Sequence, residues 1–229
     1  MWYLYMLIGL YLYMPFFSAW VEKATVSQKK IFLSIWAVTL FMPYAYTFFS
    51  HELFGLSAWN TFGTFYYFAG FNGYLLLGYY LTKDVKPWSW SKTIAVALPL
   101  FAIGYVVTYI GFKFMTANPD CTEQEMELFF LYCSPNVALM TVALFLLVRQ
   151  VKFSSAKYVA LFANITKCGL GIYLVHYFVV GLGYAIANAL SIPVSIKIPV
   201  TAVMVFAISW AFVALFYRLI PKASKWIFG

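Results

Sequence analysis

Residues 93–112 read TIAVALPLFAIGYVVTYIGF, twenty consecutive residues without a charged side chain. A helix that crosses the hydrocarbon core of a bilayer needs about 20 mostly apolar residues. Lipid offers no hydrogen bonds to the backbone, so a helix, which satisfies its own backbone groups, is the natural form for such a stretch. The sequence therefore predicts a membrane-spanning helix over 93 to 115.

The composition of the whole chain agrees with this. Of its 229 residues, 64% are hydrophobic and 10% are charged, and the mean hydropathy is +0.84. A soluble domain is about half apolar and a quarter charged. These values exclude a protein that folds in water. The net charge of +8 would suggest nucleic acid as a partner of a soluble protein, but here we assign it to loops that set orientation and expect no nucleic-acid partner.

Seven apolar runs long enough to cross a bilayer can be placed along the chain. The predicted fold is all-α, a polytopic bundle of about seven transmembrane helices that forms one membrane domain over 1–229. The first run is a span rather than a signal peptide, because it lacks a basic start and is followed by Glu22 and Lys23 instead of a small-residue cleavage site. Segment 157–167 is too short to cross, and its basic ends predict a helix at the interface. The spans are predicted at 1–20, 31–49, 62–81, 93–115, 128–148, 168–188 and 198–220.

The basic residues fall almost entirely on one side of this arrangement. Of the fifteen, Lys113 and Lys197 lie on the opposite side, together with five of the seven acidic residues. Loops with an excess of Lys and Arg stay in the cytoplasm. The sequence thus predicts a cytoplasmic C-terminus and an outer N-terminus. The thirteen basic residues of the predicted cytoplasmic side are Lys23, Lys29, Lys30, Lys83, Lys86, Lys92, Arg149, Lys152, Lys157, Lys167, Arg218, Lys222 and Lys225.

Four residues are candidates to line a cavity. His176 is the one ionisable group deep in a predicted span, where such groups are costly and often functional. Tyr173 lies three residues before it on the same helix face. His176 is either a structural histidine that bonds a neighbouring helix or part of a site. Asn72, in a glycine-rich span, and Asn136, near the start of another, are either packing residues or face a polar pocket.

Other polar groups support weaker hypotheses. The acidic segment 118–127 is interpreted as a solvated outer loop rather than a metal cluster. Cys121 and Cys133 both fall near the outer face, where a disulfide is permitted, and the three cysteines match no zinc or redox spacing. His51 and Glu52 are adjacent in sequence, which is little evidence for an acid-base pair.

Several motifs resemble those of the membrane acyltransferase 3 family. They are WYLYMLIGLYL at 2–12 followed by Pro15, GYLLLGYY at 73–80, SPN at 134–136 and GIYLVH at 171–176, and they occur in the family's order. The resemblance implies a bacterial inner-membrane enzyme of about ten helices. Such enzymes mostly transfer acetyl groups from cytoplasmic acetyl-CoA to hydroxyls of surface polysaccharides or lipid-linked sugars. Acetyl-CoA would be the acyl donor, and no bound cofactor or metal is expected.

The chain departs from the family at the catalytic signature. That signature is a basic residue followed eleven positions later by histidine, whereas His51 and His176 are preceded at that distance by Leu40 and Ile165. The opening of the chain resembles the family's fourth helix. We therefore expect a C-terminal portion of an acyltransferase that does not transfer acetyl groups alone, with its catalytic residues not assigned.

Two functions from different classes follow. The first is an acetyltransferase in which an imidazole acts as general base on the acceptor hydroxyl. The second is a non-enzymatic receptor or transporter component that binds lipid or glycan. A retinal protein is disfavoured because Lys197 lies only at the edge of the last span. A transporter would usually carry midplane charges or a repeated half.

The topology is directly testable. A reporter placed after Lys225 and one placed in segment 116–127 are expected to report from opposite sides of the membrane, because thirteen of the fifteen basic residues fall on the first side. Cysteine labelling in intact cells measures this. Labelling of both positions from one side would refute the predicted arrangement.

Overall fold

The computed structural model describes residues 2–48, 65–190 and 192–228, and within these ranges it contains helices and no strand. This confirms the all-α prediction for the described residues. Two short 3-10 turns, Tyr66–Phe68 and Glu127–Phe130, accompany the α-helices. The α-helices are α1 Trp2–Lys23, α2 Val26–Thr39, α3 Met42–Phe48, α4 Asn72–Lys83, α5 Trp90–Thr116, α6 Glu123–Met126, α7 Pro135–Gln150, α8 Ala156–Ala189, α9 Val194–Leu219 and α10 Pro221–Phe228.

Five helical segments in the described residues are long and apolar enough to cross a membrane. Predicted spans 31–49 and 62–81 are not among them. In the first, α2 ends at Thr39 and a separate helix, α3, covers only Met42–Phe48. In the second, the α-helix begins only at Asn72. Residue 49 and residues 62–64 lie outside the described residues. A multispan protein is thus confirmed, and the count of seven and the orientation stay predictions. The five segments are Tyr3–Lys23, Trp90–Thr116, Glu127–Gln150, Ala156–Ala189 and Val194–Leu219.

The prediction of a separate interfacial helix over 157–167 is wrong. This segment is the first third of α8, which continues without a break for 34 residues. At 1.5 Å per residue, α8 is about 51 Å long, compared with about 30 Å for the hydrocarbon core. No glycine or proline interrupts 157–167, so nothing in the local sequence ends the helix before the span.

The chain divides into two compact units, Met1–Val151 and Lys152–Gly229. In the first unit, α1 packs on α2 and α4 through Phe17, Val21 and Leu76. Helices α5 and α7 approach closely, because Gly104 leaves room: a Cβ there would lie 2.5 Å from the carbonyl oxygen of Asn136. Small residues permit such contacts in lipid, where packing drives helix association.

At one end of the first unit, polar groups of three segments of the chain contact one another. The Lys29 ammonium pairs with the Asp84 carboxylate at 3.0 Å. Arg149 donates to the carbonyl oxygen of Val85 at 2.6 Å, and Gln150 donates to that of Trp88 at 2.8 Å. The start of α2, the α4–α5 loop and the end of α7 therefore share one end, as the charge pattern predicts. Lys29 is buried and neutralised there.

The second unit is an antiparallel pair, α8 and α9, on which α10 packs. Its core contains Cys168 and Ile172 of α8, Val213 and Tyr217 of α9, and Phe228 of α10. Lys167 lies over the Tyr217 ring, 4.5 Å from its centroid. Trp210 Nε1 donates to Asn164 Oδ1 at 2.8 Å. These contacts tie the start of α8 to the end of α9.

Close packing at Gly73 makes a testable case. A Cβ at Gly73 would lie 2.2 Å from the Trp36 ring, which is 4% exposed, whereas a Cβ at Gly78 meets nothing within 4 Å. Gly73→Ala is expected to destabilise the protein by about 1–3 kcal/mol, the usual cost of overpacking. Gly78→Ala, one and a half turns along the same helix, is the matched control and should be near neutral.

Thermal unfolding in detergent, followed by size-exclusion chromatography, measures both variants. Equal melting temperatures for Gly73→Ala and Gly78→Ala would show that the α2–α4 contact is not as close as described.

Candidate functional site

A groove of about 710 Å³ runs between α8 and α9 within the second unit. Its α8 wall contains Tyr173, His176, Val180 and Tyr184, which recur every three or four residues and so share one helix face. Its α9 wall is mainly aliphatic but also carries Lys197 and Thr201. The volume falls in the usual range for small-molecule sites, which combine apolar walls with a few polar groups.

His176 and Tyr173 both line this groove, as the sequence suggests. The Nδ1 atom of His176 is hydrogen-bonded to the backbone carbonyl of Tyr173. A carbonyl oxygen can only accept, so Nδ1 carries a proton, and in the neutral form of the ring Nε2 holds the lone pair. The bond lies within α8, not across to a neighbouring helix. An imidazole held in this tautomer presents Nε2 as a base or as a hydrogen-bond acceptor.

Lys197 and Thr201 add a cation and a hydroxyl to the opposite wall. The Lys197 ammonium donates to Asn188 Oδ1 at 2.7 Å, which joins the start of α9 to the end of α8. The Thr201 hydroxyl oxygen is buried and has no hydrogen-bond partner among the described residues. A buried hydroxyl without a partner costs free energy, so a groove ligand that bonds to it would recover that cost.

Asn136 lies elsewhere, in the first unit, and is 2% exposed. Its amide nitrogen donates to Thr108 Oγ1 at 2.7 Å and to the carbonyl oxygen of Phe129 at 2.8 Å. Its amide oxygen accepts from the Tyr44 hydroxyl at 2.5 Å. The side chain thus joins α3, α5 and α7. This arrangement matches the packing alternative for Asn136, and a role in lining a site stays a prediction.

Asn72 is half-buried at the first position of α4. The residues around it are packing groups: Trp36 Nε1 donates to the carbonyl oxygen of Gly70 at 2.9 Å, and the Tyr74 hydroxyl donates to that of Tyr132 at 2.6 Å. Gly70 has a φ of +80°, a conformation that glycine adopts readily. Asn72 belongs to the first unit, and its role also stays a prediction.

The acidic loop at 118–127 is stabilised by local capping. Thr122 and Glu125 form a capping box at the start of α6, and the hydrogen bonds from Thr122 hold the pKa of Glu125 below its usual range. Within the described ranges, no three His, Cys, Asp or Glu side chains come together as a metal site. Cys121, Cys133 and Cys168 are free thiols. His51 and Glu52 lie outside the described residues.

Sequence reasoning did not single out Thr201, Tyr184 or Lys197 as site residues. Lys197 was assigned to a loop, and Tyr184 was one of nineteen tyrosines. A usable signal existed for the α8 wall, because Tyr184 is eight residues from His176 and so lies on the same helix face. The signal for Thr201 was weaker: it lies four residues after Lys197 and so on the same face of α9, in a helix that is otherwise mostly apolar.

Comparison with known proteins bears on the whole chain. A family model described as "Acyltransferase domain" matches residues 1–218. No curated protein and no solved structure is significantly similar. The match includes α1 to α8 and nearly all of α9, so it takes in both the Asn136 contacts and the α8–α9 groove.

Two buried hydroxyls without a partner allow a test of the groove. Thr201 Oγ1 lines it, whereas Ser209 Oγ lies further along α9 and does not. Thr201→Val and Ser209→Ala are each expected to leave stability unchanged or raise it, by up to about 1–3 kcal/mol, because each removes an unsatisfied buried group. Thermal unfolding without added ligand measures this.

Ligand-dependent properties should separate the two variants. Thr201→Val is expected to lower acyl transfer or acceptor binding, and Ser209→Ala is not. A destabilising effect of Thr201→Val would show instead that the hydroxyl has a structural partner.

Proposed function

We propose, on the premise that this chain belongs to the acyltransferase 3 family, that it serves O-acetyl transfer from acetyl-CoA to a hydroxyl of a cell-surface polysaccharide or lipid-linked sugar. The observation that carries this proposal is the family match over residues 1–218. The proposed location is the inner membrane of a bacterium. The family and the five apolar helices support a multi-pass membrane acyltransferase.

The reaction needs a base, an acyl donor and an acceptor. An imidazole removes the proton of the acceptor hydroxyl while the hydroxyl oxygen attacks the carbonyl carbon of the thioester. The carbon–oxygen bond forms, the carbon–sulfur bond breaks, and the proton passes to the departing CoA thiolate. The family's basic residue and histidine are not among these 229 residues, so the proposal does not assign the base to this chain.

The α8–α9 groove is the proposed position for part of the acceptor. Its aliphatic α9 wall suits a lipid chain, and His176, Thr201 and Lys197 are polar groups that could orient a sugar or phosphate. His176 presents Nε2 as an acceptor for a hydroxyl. Its proposed role is to bind and orient the acceptor.

The acyl donor is proposed to arrive from the basic end. The phosphates of CoA are attracted by uncompensated Lys and Arg side chains. Lys29 contributes little to this attraction because Asp84 neutralises it. The exposed Lys86 of the α4–α5 loop and the exposed Lys92 in the first turn of α5 are better placed.

The proposal is tested with labelled acetyl-CoA and a polysaccharide or lipid-linked sugar, added to membranes that contain this chain. Transfer is expected only when a segment carrying the basic residue and histidine of the family motif is co-expressed. General-base assistance is worth about 10²–10⁴ in rate, so the chain alone should be inactive within detection. His176→Ala is expected to weaken acceptor use, and Tyr177→Ala, at a neighbouring residue that is 69% exposed, is the control.

Two results would change the proposal. Transfer by the 229-residue chain alone, abolished in His176→Ala, would make His176 the catalytic base. Binding of lipid or glycan with no transfer under any of these conditions would favour the non-enzymatic alternative.

A further inference from the structure

The second unit has an unusual charge distribution. Residues 152–229 contain seven basic side chains and no Asp or Glu. In the first unit the eight basic residues are nearly balanced by seven acidic ones. Lys29 there pairs with Asp84, whereas no cation of the second unit can find a side-chain carboxylate within its own unit.

Six of the seven cations lie at one end of the α8–α9 pair. They belong to the first third of α8 and its approach, the last turn of α9, and α10, and all six are exposed. The contact of Lys167 with Tyr217 brings these segments together. The six are Lys152, Lys157, Lys167, Arg218, Lys222 and Lys225.

Membrane topology does not explain why residues 152–229 contain no Asp or Glu. The positive-inside rule counts Lys and Arg, and Asp and Glu contribute little to it. Acidic residues are tolerated on the same predicted side in the first unit, at Glu22 and Asp84. A purely positive end therefore calls for an anionic partner from outside the unit.

Helix α10 shows what kind of partner fits. Ser224 and Phe228 form its inner face: Ser224 Oγ donates to the carbonyl oxygen of Ile220 at 2.8 Å, and Phe228 packs edge-on against Phe216. The opposite face carries Lys222, Lys225 and Trp226. Lys225 and Trp226 follow Lys222 by three and four residues, which places each of them beside Lys222 on the helix surface. Trp226 is 91% exposed.

Lysines beside an exposed tryptophan on a short amphipathic helix are typical of a membrane interface. The indole ring prefers the level of the lipid headgroups, and lysines near it attract anionic lipids. The position of α10 along α8 agrees with a place at the membrane interface. Phe228 belongs to the core cluster that contains Ile172 of α8. A bilayer core accommodates about twenty residues of a helix, and twenty residues counted back from the end of α8 at Ala189 begin near residue 170.

We infer that the outer face of α10, formed by Lys222, Lys225 and Trp226, binds the headgroups of anionic phospholipids, with the Trp226 indole inserted at the interface. The remaining four cations of this end extend the same positive surface. Binding at this surface does not depend on the acetyl transfer proposed above.

The experiment uses the full chain in vesicles of phosphatidylcholine that contain increasing fractions of phosphatidylglycerol. Either lipid carries bromine on its acyl chain, at a shallow or at a deep position. The fluorescence of wild type minus that of Trp226→Phe isolates Trp226 from the other seven tryptophans. Trp226→Phe should fold normally, because the side chain is almost fully exposed. Shallow bromine is expected to quench Trp226 more than deep bromine, and quenching should increase with the phosphatidylglycerol content.

Lys222→Gln/Lys225→Gln is expected to raise the phosphatidylglycerol needed for half-maximal quenching, by about fivefold for each lysine removed. Lys222→Arg/Lys225→Arg keeps both charges and is the matched control. A higher salt concentration should also raise the phosphatidylglycerol content that the wild type needs for half-maximal quenching, because salt shortens the screening length. This second measurement does not depend on the folding of any lysine variant.

Three results would overturn the inference. One is a Trp226 signal that neither brominated lipid quenches, which would mean that water or protein covers the ring. Another is equal quenching with and without phosphatidylglycerol. The third is a wild-type response to phosphatidylglycerol that salt does not change.

Discussion

The buried amide of Asn136 is the interaction on which the first unit depends. It makes three hydrogen bonds, to Tyr44, Thr108 and the carbonyl oxygen of Phe129, and so joins three helical segments that apolar contact alone would leave free to slide. Between helices in lipid there is little hydrophobic drive, so packing and hydrogen bonds must fix their relative heights. A side chain with both donors and an acceptor is suited to this, because an unpaired amide in such surroundings is costly.

The two short helices of the first unit depend on the same constraint. The backbone directly before α4, at 69–71, is not helical. Non-helical backbone at membrane depth is tolerated only where protein or water satisfies it. Trp36 supplies one such bond, to the carbonyl oxygen of Gly70, and Tyr74 supplies another, to that of Tyr132. Gly73 lets the Trp36 ring approach. The family motifs at 73–80 and 134–136 thus include residues that stabilise interrupted helices.

The two units differ in how far their polar and charged groups are paired. The first has nearly balanced charges and a buried ion pair at its basic end, so much of its polarity is structural. The second has cations without acids, a groove whose polar groups are only partly engaged, and a hydroxyl at Thr201 without a partner. Unsatisfied polar groups are expected where a ligand completes them, so the second unit is the better candidate for contact with substrate and lipid.

The sequence by itself determined the all-α class and the multispan membrane character, because long apolar runs are a local property. Loop charge also predicted that the basic segments of the first unit share one end. Helical spacing also predicted that His176 and Tyr173 share one helix face, and both line the α8–α9 groove; their role stays a prediction. Only the tertiary structure decided where helices begin and end and which polar groups meet. Asn136 finds three partners, Thr201 finds none among the described residues, and α8 continues through 157–167. The physical reason is that a helix apolar on all sides has no periodic pattern to show which face turns inward. The orientation of its few polar groups is then set by its neighbours.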